Sequence, residues 1–173
     1  MIDIYRVWAM PNKWTFKIKP IAELLSSEVT GGVWVDPFAG ENSPATITND
    51  INPERPTTYH MDALEFLRSL PDCSADGVLY DPPYSARQVR ECYDGLGGLK
   101  WDGRTTFWSD TKNEVARILK PQGKCICFGW NSMGLGKNRG FDMTKILLVP
   151  HGGSRNDTIC TVEVKQYDCR RKG

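Results

Sequence analysis

Short apolar runs that alternate with amphipathic stretches predict an α/β domain with a mostly parallel sheet. Two observations carry this expectation. The apolar runs are short and bounded by glycine, proline or acidic residues, and the segments between them have helical spacing. Three of the runs also end at, or just before, an aspartate. Ligands of parallel sheets lie beyond the carboxyl ends of the strands, so acids placed there are candidates for a site.

In chain order, Pro20 to Val29 carries apolar residues at 21, 24, 25 and 29, and Pro20 suits a first helical turn. Gly32-Val33-Trp34-Val35 reads as a buried strand ending at Asp36. Ala45 to Thr48 is a second strand, followed by Asn49-Asp50, and Thr57 to His60 is a third. Asp62 is a good N-cap for a helix to Leu70, with apolar residues at 63, 64, 66, 67 and 70. Gly77 to Tyr80 is a fourth strand, ending at Asp81. Helices are expected over Ser85 to Tyr93 and Thr111 to Leu119, the latter closed by a Lys120-Pro121-Gln122-Gly123 stop and turn. Lys124 to Gly129, Ile146 to Val149 and Thr158 to Val164 bring the sheet to seven strands. Asp94 to Arg104 and Gly129 to Gly140 are glycine-rich and read as loops, the second flexible and basic.

A chain of 173 residues with 40% hydrophobic and 25% charged residues fits one domain, 1–173, with its own core. The net charge of +1 does not by itself call for a nucleic-acid partner. The basic residues cluster, however: Lys165, Arg170, Arg171 and Lys172 at the C-terminus, Lys137 and Arg139 in the second glycine-rich stretch. Such clusters meet phosphates or are simply a solvated face. Six cysteines form no Cys-x-x-Cys pair and only His60 and His151 accompany them, so no zinc site is expected. Cys125 and Cys127 share one strand face as packed, reduced thiols, which suits an intracellular protein. No signal-peptide pattern and no run of membrane-spanning length are present, so a cytoplasmic location without a membrane partner is expected.

Asp81-Pro82-Pro83-Tyr84 is the run that carries chemistry. Two prolines after a strand fix the backbone and remove two N–H donors. The groups left exposed, carbonyls and the Asp81 carboxylate, are acceptors. A carboxylate and a carbonyl together hold both hydrogens of an exocyclic amino group and aim its lone pair outward. Tyr84 supplies a face on which a flipped base stacks. The competing reading is an ordinary turn. The position after an apolar strand, downstream of Asp36 and Asp50, favours a catalytic set of Asp81, Pro82, Pro83 and Tyr84.

With these residues in place, the chain resembles the S-adenosylmethionine-dependent amino-methyltransferases of DNA, which carry an Asp/Asn/Ser-Pro-Pro-Tyr/Phe motif. The resemblance covers most of the chain. Asp36-Pro37-Phe38-Ala39-Gly40 is similar to the family's first cofactor motif, a turn beneath the methionine part of the cofactor. Asp50-Ile51 is similar to the second, whose acid holds the ribose hydroxyls, and Asp62-Ala63 to the third, whose acid accepts from the cofactor's adenine. Asn12 to Phe16 lies where the family has its N-terminal motif, with Phe16 beside the methionine tail. The resemblance implies a Rossmann-like class I methyltransferase fold, S-adenosylmethionine as cofactor, and adenine N6 in DNA as acceptor, since the aspartate form of the motif favours adenine there. It also implies cofactor contacts by Phe16, Asp36, Phe38, Ala39, Gly40, Asp50, Ile51, Asp62 and Ala63. The compact form is similar to solitary enzymes carried by phages and mobile elements.

Two departures stand out. Glu41-Asn42-Ser43 follows Gly40 where the family has more glycines, and only Glu41 to Pro44 separate Gly40 from the second strand. A crossover helix needs about ten residues or more, so the helix between the first two strands of the family's sheet is expected to be reduced to a loop. One side of the cofactor pocket is then less covered, or covered by a second subunit. No segment has the length of a target-recognition domain. Two loops are candidates for nucleic-acid contact: Tyr93 to Trp108, with Lys100 and Arg104, and Trp130 to Gly140, with Trp130, Asn131, Lys137 and Arg139. Amphipathic surface is the competing reading of both. Specific DNA interfaces bury roughly 1,000 Å² or more of protein, so relaxed specificity or a homodimer is expected. RNA adenine, DNA cytosine-N4, and a non-catalytic subunit of a methyltransferase complex remain alternatives; the intact Asp81 to Tyr84 run speaks against the last.

Overall fold

The computed structural model describes residues 1–94, 96, 105–153 and 155–166. Lys100, Arg104 and the basic cluster at 170–172 lie outside the described residues.

A seven-stranded sheet is built from β1 (Asp3–Arg6), β2 (Trp34–Asp36), β3 (Ile47–Thr48), β4 (Ala75–Tyr80), β5 (Leu119–Gly129), β6 (Phe141–Val149) and β7 (Thr158–Lys165), in the order β1-β6-β7-β5-β4-β2-β3. Only β7 runs against its neighbours; the β1–β6, β5–β4, β4–β2 and β2–β3 pairings are parallel. The helices are α1 (Lys19–Glu28), α2 (Ala63–Ser69), α3 (Ala86–Asp94) and α4 (Phe107–Ile118).

Period-2 alternation decides which helix covers which face. Val78 and Tyr80 of β4, with Cys125 and Cys127 of β5, meet Phe66 and Leu67 of α2 and Val115 and Ile118 of α4. Leu79 and Ile126, one residue out of phase, face the other way with Ile21 and Leu25 of α1. Strands β4 and β5 are therefore buried on both faces, as parallel central strands are. The two thiols of Cys125 and Cys127 lie 3.6 Å apart on one face.

Three expectations need correction. Thr57 to His60 is not a strand: it makes one isolated bridge, Asn49 to Tyr59. The seventh strand is instead β1, at the opposite edge, which reads as fully exposed and so has no burial alternation to signal it. The Lys120 to Gly123 turn falls inside β5 as a bulge, where the register jumps from Ala75–Leu119 to Gly77–Lys124 and Gln122 takes φ 64°. Between β2 and β3 no helix forms, as the four-residue spacing requires.

Candidate active site

The parallel strands β2, β3 and β4 deliver Asp36, Asn49-Asp50 and Asp81 to one edge of the sheet. There a cleft with two connected lobes opens, of about 510 and 820 Å³. Thr15, Phe38, Asp50, Ile51 and Asp81 line both lobes. Phe16, Ala39, Gly40 and Asn42 line the first, Ala63, Pro82, Pro83 and Tyr84 the second.

Asp36 does not face this cleft. Its carboxylate is fully buried and accepts from the Phe38 amide at 2.9 Å and the Ser43 hydroxyl at 2.6 Å. It shapes the turn that presents Phe38, Ala39 and Gly40. Burial pushes its carboxyl up to about 7, against those two hydrogen bonds and with a further push from Asp81 and Asp50. Gly40 follows with φ +56°, and a Cβ there would stand 3.2 Å from the Trp14 ring, so both conformation and space ask for glycine.

Asp50 uses one oxygen on the Gly40 amide, 3.0 Å, and the other on the Asn52 amide, 2.8 Å. A carboxylate has about four acceptor positions, so capacity remains toward the cleft. Asp62 caps α2, its Oδ1 accepting from Leu64 and Glu65, while its neighbours Met61 and Ala63 line the second lobe. The acid expected to face an adenine is thus engaged in holding the helix N-terminus.

Asn49, which sequence reasoning passed over, joins these turns. Its Nδ2 donates to the Pro37 and Met61 carbonyls at 3.1 and 3.0 Å, and its Oδ1 accepts from the Met61 amide at 2.9 Å. It is fully buried and ties the turn after β2 to the start of α2. Its place after a predicted strand was the only signal in the sequence.

The half-buried Asp81 accepts from the Tyr84 hydroxyl. Burial raises its carboxyl above the usual range, and hydrogen bonds from Tyr84 and Thr15 oppose the rise. Burial and the Asp81 charge push the Tyr84 phenol far up, so it stays a donor. The Pro83 carbonyl accepts the Trp108 indole N–H at 2.8 Å. Among the described residues no donor reaches the Pro82 carbonyl, which leaves it as the acceptor beside Asp81. Tyr84 leans on Trp130, ring centroids 5.2 Å apart, and a smaller recess behind them is lined by Trp108, Trp130 and Asn131.

The expected basic loop is held firmly in its second half. Buried Glu163 accepts from the Leu135 and Gly136 amides at 2.6 and 3.0 Å, and Lys112 donates to the Gly134 carbonyl at 2.6 Å. Gly134 permits this, because a Cβ there would stand 2.2 Å from Glu163. Arg139 is spent on Asn113, Leu135 and Ser109, so it braces the loop against α4, whereas Lys137 is exposed.

The loop that replaces the missing helix is braced as well. Glu41 pairs with Arg55, whose guanidinium lies over the Trp14 ring at 5.0 Å, as does the Lys13 ammonium. Asn42 Nδ2 is buried there without a hydrogen-bond partner among the described residues, in a residue that lines the cleft.

The fold is shared with solved methyltransferase structures. TrmN from Thermus thermophilus superposes with a TM-score of 0.57 at 19% identity, over 86% of this chain and 49% of that one. The chain therefore spans about half the length of that protein. The yhhF protein from Escherichia coli gives 0.53 at 11% identity, over 86% of this chain and 84% of its own. The 1,6-didemethyltoxoflavin-N1-methyltransferase of Burkholderia thailandensis, solved with S-adenosylhomocysteine, gives 0.53 at 13% identity, over 84% and 76%. No protein-family model matches the chain, and no curated protein does. The likeness establishes a Rossmann-like methyltransferase fold.

Proposed function

We propose that this chain transfers a methyl group from S-adenosylmethionine to the N6 amino group of adenine in DNA. The observation that carries the reading is the placement of Asp81, which lines both lobes of the cleft and stands where a methyl donor in one would meet an amino group in the other.

The residues present suit the cofactor. Asp50 keeps acceptor capacity for ribose hydroxyls, the device also found in dinucleotide folds. Phe38 and Ile51, which line both lobes, supply apolar walls for the cofactor's adenine. The unpartnered Asn42 amide, with Phe16 nearby, suits the amino-acid end. When bound, S-adenosylmethionine supplies an electrophilic methyl group on a sulfonium sulfur.

The chain's own residues do the rest. Asp81 and the Pro82 carbonyl accept the two amino hydrogens and turn the nitrogen lone pair toward the methyl carbon. The nitrogen–carbon bond forms as the carbon–sulfur bond breaks, and positive charge develops on the nitrogen. The Asp81 carboxylate stabilises that charge and accepts the departing proton, helped by the burial that raises its basicity. To receive the amino group it must give up the Tyr84 hydroxyl. Tyr84 then serves as a stacking face, with Trp130 and Asn131 beside it. The exposed Lys137 contributes charge to the phosphate-facing side, and a homodimer would enlarge the DNA-facing surface.

The test offers a labelled methyl donor with DNA and with RNA, followed by nucleoside analysis of the product. N6-methyladenine in DNA is expected. Label in N4-methylcytosine, or in RNA alone, would move the acceptor; no transfer to any nucleic acid would overturn the reading.

A further inference from the structure

A second groove lies beside the cleft. After β1 the chain continues along β6, with the Val7 amide on the Leu148 carbonyl at 2.9 Å and the Ala9 amide on the Pro150 carbonyl at 3.2 Å. His151 rivets this segment to the sheet. Its Nδ1–H donates to the Ala9 carbonyl at 2.9 Å, and Nε2 meets the Thr158 hydroxyl at 2.8 Å. The groove enclosed is about 740 Å³ and is lined by Met10, Asn12, Lys13, His151, Gly152 and Arg155, among others.

Three observations give it an occupant. Lys13 also lines both lobes of the central cleft, so the groove adjoins the active site at that residue. Its described lining residues include Lys13 and Arg155 and no carboxylate. At its rim Trp8 is 59% exposed, its indole set against Gly152, on a segment already fixed by hydrogen bonds. An exposed aromatic at the rim of a groove that carries cations is how proteins hold a nucleic-acid strand by base stacking and phosphate contact.

We propose that the strand flanking the target base runs through this groove, with phosphates on Lys13 and Arg155 and a neighbouring base on Trp8. The inference rests on the nucleic-acid methyltransferase reading of the central cleft. It gives the chain a further strand contact that supplements the short loop at Trp130.

The test measures binding of fluorescein-labelled DNA oligonucleotides to the full chain, saturated with S-adenosylhomocysteine, across a salt series. Trp8→Ala is expected to weaken binding about 5-fold or more. Arg155→Ala is expected to lower the salt slope by about 0.7–0.9. Neither variant should change the affinity for S-adenosylhomocysteine, since neither residue lines the central cleft. If wild type methylates or binds DNA and both variants match it in affinity and slope, the groove proposal falls while the function stands. If wild type neither binds nor methylates any nucleic acid, both fall. If the variants alter only the sedimentation of the chain, the groove is a subunit contact and the proposal is overturned.

Discussion

Tyr84 acts on the chemistry of the cleft, and Asp36 on the stability of the turn behind it. Burial raises the Asp81 carboxyl, and the Tyr84 hydroxyl opposes that rise, because a hydrogen bond to a carboxylate favours ionisation. Tyr84→Phe keeps the ring and removes that bond, so the Asp81 carboxyl should rise further. The charged form is the active one, and it is lost as pH falls through its pKa. The acidic limb of the kcat/KM profile should therefore move to higher pH in Tyr84→Phe, and an unmoved limb would rule out this role. Asp36 gives a stability counterpart. Its folded-state value of about 7 lies above the unfolded one, so its contribution is fully present at low pH. That contribution is lost as pH rises from about 4 to about 7, on the order of a few kcal/mol. Asp36→Asn can still accept from Phe38 and should flatten this decline in denaturant titrations at a series of pH values.

At the level of elements, the loop from Glu41 to Pro44 takes over from a helix. A helix would present a row of amides to the cofactor; this loop presents one unpartnered side-chain amide, braced by the Glu41–Arg55 pair. A buried donor without a partner costs about 1–3 kcal/mol. Asn42→Ala should therefore stabilise the cofactor-free chain, read as a higher Tm, and weaken S-adenosylmethionine binding by calorimetry. Loss of both stability and binding would show instead that Asn42 holds the fold. The sequence announced this loop by counting alone, since four residues cannot make a crossover. It announced α2 through Asp62, whose cap is local chemistry. It did not announce β1, whose exposed residues leave no alternation to read. Nor did it announce the firmness of the loop after β5, because Glu163 reaches Leu135 and Gly136 from the far side of a β-hairpin. Contacts made at long sequence separation, such as Asn49 with Met61 or Glu163 with Gly136, leave no periodicity behind.

For the whole molecule, the sheet order brings residues 15, 38, 50 and 81 to one cleft, and no helix of the described residues is long and apolar enough to cross a membrane. The central claim is that Asp81 handles the amino group and that Asp50 and its neighbours handle the cofactor. These are separable. In Asp81→Ala, S-adenosylhomocysteine affinity by calorimetry should stay within a few-fold of wild type, while methyl transfer to DNA should fall by about 100-fold or more. Full transfer by Asp81→Ala, or loss of cofactor binding together with activity in a variant that remains folded, would contradict the account.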